Sequence, residues 1–510
     1  FKGWNDPSTG NYPDLPKDAK LTPEQKLQLW KLRHPQYSYG KKPDIYIETS
    51  LSGPLPGGEL PLLGEYFRNT TFLLGFKYEN SQFAFPVGPR DSYIDWNTQL
   101  KLTSVLSPNM RLSVDGMYAK ISSLNEGSAT NYGGTLVDPS SSFNFISNSE
   151  PSVKRQAALI GSDNFYRMFN KSRLQYYDQR YIIGGVKFTH TLSASSFYTV
   201  NLHFGYTDHE LRPFSLDTTK PDAWITIGGY RFLNVPNGGT PNASTNWATD
   251  ELNMFWLYGG TQRDDSSYSW TVQLSSDFTS QLGEHNQFEA GISAKLTYLY
   301  TYGGTWLQSE RMWTTDTWQY YKVTPIELGA YLQDKIEFEG MIANAGVRLD
   351  IFDPNKKGFI VTNPPDQSYS DFYNKVYMNL PGGWGSYERW QIYKDMLENP
   401  PNWPREKNKL QAQISPRLSV SFPITTESKL YFNYGHFYQR APVSFLYNLN
   451  VYPSAVTLPN PNLSMGRTVS YEFGYEQQFL ENFLFNVAFY YKDFRNQPLS
   501  QSYINYYHDN

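Results

Sequence analysis

Apolar and polar residues alternate along much of this chain in short blocks, and the blocks come in pairs. Leu100, Leu102 and Leu106 precede Ser107-Pro108-Asn109, and Leu112, Val114 and Tyr118 follow it. In an extended chain these apolar residues share one face, while Lys101, Thr103, Arg111, Ser113 and Asp115 share the other. The pattern predicts two strands joined by a tight turn. It recurs at Val186–Leu192 with Val200–Phe204 across Ala194-Ser195, and at Trp270–Phe278 with Phe288–Leu296 across Leu282-Gly283-Glu284. Ala330–Ile336 answers Ala343–Leu349 across Glu339-Gly340, and Leu418–Phe422 answers Leu430–Tyr434 across Thr425-Thr426-Glu427. Val469–Tyr475 answers Phe485–Tyr491 across Glu481-Asn482, and a less regular pair joins Ile45–Leu51 to Phe72–Tyr78.

The other connections are long: 121–180, 207–268, 300–325, 353–409 and 437–467. Loops of this length are uncommon inside compact soluble domains. Tight turns alternating with long loops are what a membrane barrel needs, with short turns on the periplasmic side and large loops outside. A soluble β-sandwich also alternates, but it rarely keeps one loop set short and the other long over so many hairpins. The fold class expected is therefore all-β: a transmembrane antiparallel β-barrel of about fourteen strands with long extracellular loops. Thr22-Pro23-Glu24-Gln25 carries a cap, a proline at the first helical position and a glutamine three residues after the cap, which predicts one helix ending before Pro35. Residues 1–43 are read as an extracellular loop holding that helix, and 44–510 as a partial transmembrane barrel.

Composition narrows the picture without deciding it. Mean hydropathy is −0.57 and no apolar run reaches the length of a membrane helix, but a barrel strand needs only roughly 9–11 residues, half of them facing lipid. Aromatic residues make up 17% of the chain, led by 41 tyrosines, and suit sites with one wet and one greasy end. Trp96, Tyr118, Tyr206, Trp270, Tyr298, Tyr434, Tyr438, Tyr490 and Tyr491 fall where lipid-facing strands would end, as interfacial girdles do. The absence of cysteine excludes disulfides and thiolate chemistry, and a net charge of −4 makes no case for nucleic acid.

Catalytic patterns are missing: there is no phosphate-binding Gly-x-x-x-x-Gly-Lys, no Gly-x-Ser-x-Gly and no His-Glu-x-x-His. The expectation is a protein that is not an enzyme and has no catalytic residue, metal site or cofactor. His190 and His203 lie on opposite halves of one hairpin, close enough to meet, and are read as structural or solvated. The candidate ligand-binding residues are outer-loop aromatics: Trp306, Trp313, Trp318 and Tyr320 (with Tyr321) in one loop, Trp384 and Trp390 (with Trp403) in another. Stacked rings grip sugars, peptides or cations. The alternative is that they pack the loops into a rigid cap.

Several stretches resemble one family. Lys42-Pro43-Asp44 with Ser50–Pro56, Arg90-Asp91-Ser92-Tyr93 with Trp96–Leu102, and Gly329–Lys335 with Ala345–Asp350 are similar to barrel segments of TonB-dependent receptors. So are Ser415–Ser421, Asn433–Arg440, Pro459–Leu463 and Tyr471–Glu476, in the same order along the chain. The resemblance is to the branch with an N-terminal carboxypeptidase-regulatory-like domain. It implies a bacterial outer-membrane location, contact with outer-membrane lipid, and a 22-strand barrel of which the plug and the last strands lie outside this chain. It also implies active uptake of a ligand, energised by TonB and its inner-membrane complex through that plug, and it allows a surface lipoprotein as a partner. A passive porin-like channel, or a surface-binding or structural barrel, is the competing function.

Overall fold

In the computed structural model, the residues described are 18–33, 41–58, 64, 68–83, 90–125, 175–212, 221, 224–233, 247–249, 256–259, 261–307, 312–313, 319–359, 405–448, 450–451, 456–457, 459–480 and 482–500. The structure is a single meander. Its strands are β1 (Ile45–Pro54), β2 (Thr70–Gln82), β3 (Ser92–Ser107), β4 (Met110–Asn125), β5 (Gln175–Ser193), β6 (Ser196–Arg212) and β7 (Tyr268–Leu282). They continue as β8 (Asn286–Leu307), β9 (Ile326–Phe338), β10 (Met341–Asp353), β11 (Gln411–Thr425), β12 (Ser428–Gln439), β13 (Gly466–Phe479) and β14 (Phe483–Arg495). Each pairs antiparallel with the next, from β1–β2 to β13–β14. Two short segments prolong the ladder in unchanged register: Thr261–Asp265 ahead of β7 and Gln319–Val323 ahead of β9, both against β8.

The predicted tight turns are all present. β3 meets β4 with Ser107 opposite Met110, β9 meets β10 with Phe338 opposite Met341, and β11 meets β12 with Thr425 opposite Ser428. Gly283 opens the β7–β8 turn with φ +75°, a left-handed conformation that a side chain resists. On the turn side the exception is the β1–β2 connection, 55–69, which is longer than a hairpin turn.

The strands outrun the sequence reading at their loop ends. β8 is 22 residues long, about twice what the hydrocarbon band requires. The stretch 300–325, expected as a loop, is therefore largely strand, with 299–303 paired to 319–323 and 303–307 to 261–265. Past the membrane both faces of a strand are wet, so the apolar–polar contrast that marks it disappears.

Alternation assigns the faces. Leu202, Leu274, Ile292 and Leu332 point outward and are 45%, 51%, 67% and 47% exposed, a surface compatible with lipid and unfavourable in water. Aromatic rings line the same face near the loop ends: Trp96 against Tyr118 at 5.0 Å, and Trp270 stacked on Tyr298 at 5.6 Å. Tyr434, Tyr471 and Tyr491 form a run across three strands. Tyr490 corrects the expected girdle. It pairs with Glu472, so it belongs to the inner face, because neighbours in a strand point to opposite sides.

The helix expected near the start is α1 (Pro23–Arg33), closed by a reciprocal box in which the Thr22 N–H donates to Gln25 Oε1 and the Gln25 N–H donates to Thr22 Oγ1. Leu29 is fully buried against Ile227 and Phe232, which belong to a hairpin (Trp224–Ile227 with Tyr230–Leu233) in the β6–β7 connection. No helix among the described residues is long and apolar enough to cross a membrane.

Candidate functional site

The inner face of β8–β13 is polar and carries several separate hydrogen-bonded sets. Tyr331 lies across Gly291, where a Cβ would run into its ring, and its hydroxyl donates to Asp277 Oδ1 at 2.9 Å. Gln333 donates to Glu289, Arg348 to Asp350, Ser419 to Asn433 and Asn433 to Glu472. Arg417 holds its guanidinium 5.0 Å over the Phe437 ring. Between these side chains runs a groove of about 740 Å³ that includes Glu289, Tyr331, Arg348, Arg417, Asn433 and Glu472. Register places them together: Arg348 pairs with Tyr331 and Ser415, and Gly346 with Arg417. The groove offers cations, carboxylates and amides to an aqueous lumen, beside apolar surface that includes the Phe437 ring.

At the loop end of the same strands the inner face is covered. After β12 the chain turns back as a short helix, α2 (Val443–Tyr447), whose Val443, Leu446 and Tyr447 are buried. They pack on Leu299, Tyr321, Val323 and Phe352, inner-face residues of the β8, β9 and β10 ends. Tyr447 Oη donates to the Pro354 carbonyl at 3.0 Å, and burial pushes its phenol well above the ordinary tyrosine range, so it remains a neutral donor. Arg440, just ahead of α2, donates to Glu327, which also accepts from Lys295. The β12–β13 connection is thus anchored to the wall at the mouth of the lumen by an apolar cluster and a charge triad.

A second buried cluster lies on the inner face at the ends of β5–β8. His209 Nε2 is 3.2 Å from Asp265 Oδ1, both fully buried, and Ser267 Oγ donates to the same carboxylate oxygen at 2.6 Å. Serine, histidine and aspartate are together, but the hydroxyl donates to the carboxylate and not to the imidazole. This is a structural knot and not a nucleophile–base relay.

The family model described as TonB dependent receptor-like, beta-barrel matches residues 122–510. The chain belongs to this family. It is an outer-membrane protein, and the apolar face described above is its lipid face. No curated protein sequence matches it. Among solved structures, the ferric-catecholate import receptor Fiu from E. coli K12 is 10% identical with a TM-score of 0.45, covering 88% of this chain and 57% of that one. The ferric yersiniabactin uptake receptor FyuA from Yersinia pestis is 9% identical with a TM-score of 0.47, covering 89% and 53%. FpvA of P. aeruginosa, solved with heterologous pyoverdines, is 11% identical with a TM-score of 0.46, covering 88% and 46%. The chain spans about half the length of these solved receptors.

The aromatic residues singled out in the receptor's sequence fare differently from one another. Trp318, Trp384, Trp390 and Trp403 lie outside the described residues. Trp306 and Trp313 pair with each other through their backbones at the extreme end of β8. Tyr320 and Tyr321, adjacent in sequence, part: Tyr321 enters the buried inner cluster, and Tyr320 lies on the outward face edge-on to Tyr300 and Tyr302. His190 and His203 do not meet. His190 pairs with Tyr198 near the turn and His203 with Gly185 further up, on opposite faces. His190 contacts Asn109 and Tyr198. The groove residues Arg348, Arg417, Asn433 and Glu472 were not singled out from sequence, although each stands on the polar phase of its strand. α2 had a signal too, in the apolar run Phe445-Leu446-Tyr447 inside a stretch read as loop.

Proposed function

We propose that this chain forms the wall and outer apparatus of an active importer, energised through TonB and its inner-membrane complex by way of a plug seated in the lumen. The observation that carries the reading is the contrast between the two faces of one sheet. The outside is apolar and exposed, and the inside is a charged, hydrogen-bonded surface fit to hold polar protein and pass a polar solute. Membership of the receptor family supports the coupling to TonB. Residues 1–43 are part of the outer apparatus, as the packing of α1 on a hairpin of the β6–β7 connection supports. Trp306, Trp313, Trp318, Tyr320, Trp384 and Trp390 contribute to ligand capture in this reading, Tyr320 by bracing the outward edge of the β8–β9 ends. The barrel performs no covalent chemistry.

Proteoliposomes carrying the full-length protein test the reading with small sugars as probes. An importer keeps its lumen closed, so the vesicles should not swell in iso-osmotic arabinose, and the protein should retain the periplasmic domain of TonB in a pull-down. Swelling without TonB, together with no retention of that domain, would replace the importer by a passive channel.

A further inference from the structure

One row of the groove carries a single long side chain with small residues on either side. Register sets Arg417 of β11 opposite Gly346 of β10 and Gly435 of β12, and sets Gly435 opposite Ser470 of β13. Their neighbours Val347 and Leu418 are exposed on the lipid face, so this row faces the lumen, and all four of its residues line the groove. The glycines make the room. A Cβ at Gly435 would stand 3.2 Å from the Phe437 ring and 3.6 Å from Arg417 Cγ, so those two side chains use the space that any larger residue would take. Phe437 backs the guanidinium at 5.0 Å from its ring centre. One face of the planar fork is thereby covered, and its N–H donors point out along the edges.

The charge of this side chain sets it apart from its neighbours. On the inner face of β8–β13, Lys295 is paired with Glu327, Lys335 with Glu337, Arg348 with Asp350 and Lys429 with Glu476. Arg417 has no carboxylate partner among the described residues, and it is exposed to the lumen. The two acids that share the groove are engaged by amides: Asn433 donates to Glu472, and Gln333 donates to Glu289. The row thus presents a positively charged fork of donors, oriented by an aromatic ring, with open room on both sides.

We propose that Arg417 is the receptor for a single carboxylate group inside the lumen. The two oxygens of a carboxylate match two parallel N–H donors of a guanidinium, and such a bidentate, charge-assisted pair is stronger than neutral hydrogen bonds. The slot between Gly346 and Gly435 admits a flat group edge-on to the fork. Glu289 and Glu472 repel a doubly charged phosphate in the same groove, whereas one carboxylate balances one guanidinium. The carboxylate is carried either by a solute in passage or by a segment of the same protein seated in the lumen. The site deepens the importer reading and rests on it for the passage of solute.

Arg417→Lys in the full-length protein makes the contact recordable, because a water-soluble carbodiimide joins an amine to a carboxylate beside it as an amide and takes up the water as its urea. The variant in nanodiscs is treated with the reagent, alone and with N-acetylglycine as a monocarboxylate probe, and its digest is read by mass spectrometry. Without the probe, a peptide joining position 417 to an acidic residue outside the barrel wall identifies a seated protein segment. With the probe, an acetylglycyl adduct at position 417, in excess of that on Lys187, identifies a solute site; Lys187 is exposed on the inner face of β5, outside the groove. Lys429, 2.8 Å from Glu476, should couple in every sample and shows that the reagent has reached the lumen. Adding Ser470→Leu, which fills the slot, should abolish coupling at position 417 and leave that of Lys429 intact, with heat-modifiable migration as the check on folding. Coupling at position 417 only to acids of the barrel wall, or coupling there no greater than at Lys187, would overturn the proposal. The readout is mass alone, so this site can fail while TonB retention and closure to arabinose hold, and the importer reading can fail while the site stands.

Discussion

Position 274 and its neighbour define what one residue can change in this sheet. Leu274 meets lipid midway along β7, with Leu202 and Ala294 beside it on either strand, while Gln273 faces the lumen opposite Lys295. Leu274→Arg should cost about 2–4 kcal/mol and reduce the yield of heat-modifiable barrel, whereas Gln273→Arg should assemble normally. Equal loss from both would mean the faces are reversed or undifferentiated. The same reasoning applies inside. Gly291 is required because Tyr331 lies over it, and Gly291→Val should destabilise the barrel by about 1–3 kcal/mol through overpacking. Tyr331→Phe keeps the ring and loses its donation to Asp277, a smaller cost of about 0.5–1.5 kcal/mol. Combining Gly291→Val with Tyr331→Ala should cost less than the two single changes added, because the clash is relieved; denaturant titration in detergent measures all four proteins.

Elements matter most where strands leave the membrane. The outer part of β8 is held on both sides, by Thr261–Asp265 and by Gln319–Val323, so it continues as sheet beyond the lipid band. Backbone amides of residues 299–303 should therefore exchange with deuterium as slowly as those of 287–296, with fast exchange there meaning that the paired extension is not formed in solution. α2 holds by different means, since five residues make no stable helix alone. Its stability comes from burying Val443, Leu446 and Tyr447 against the wall. Tyr447→Ala should release the β12–β13 connection, and limited proteolysis should then cut between residues 440 and 465 while the barrel still migrates as folded. Undiminished protease resistance would show that the apolar cluster is not what anchors this segment.

For the whole molecule the decisive quantity is which end lies outside. Labelling intact cells is clean because the chain has no cysteine of its own. Asn109→Cys, Glu284→Cys and Glu427→Cys, at tight turns, should be shielded from an impermeant maleimide, while Arg231→Cys in the β6–β7 hairpin should react. Labelling at the turns would invert the topology. The strands, their faces and six tight turns were legible in the residues, because alternation is a local consequence of extended backbone geometry and each hairpin partner is near in sequence. The ordered motifs likewise pointed to the receptor family that the family model matches. Three things depended on tertiary structure. Tyr490 and Tyr491 took opposite faces through strand pairing, and Tyr320 and Tyr321 parted in the same way, although each pair looked uniformly aromatic in the sequence. The loop ends folded onto the wall through contacts such as Arg440 with Glu327, 113 residues apart, which no local pattern encodes. The groove exists because register brings single residues of separate strands side by side, and a periodicity of two tells which face a residue takes but not which partners it will find there.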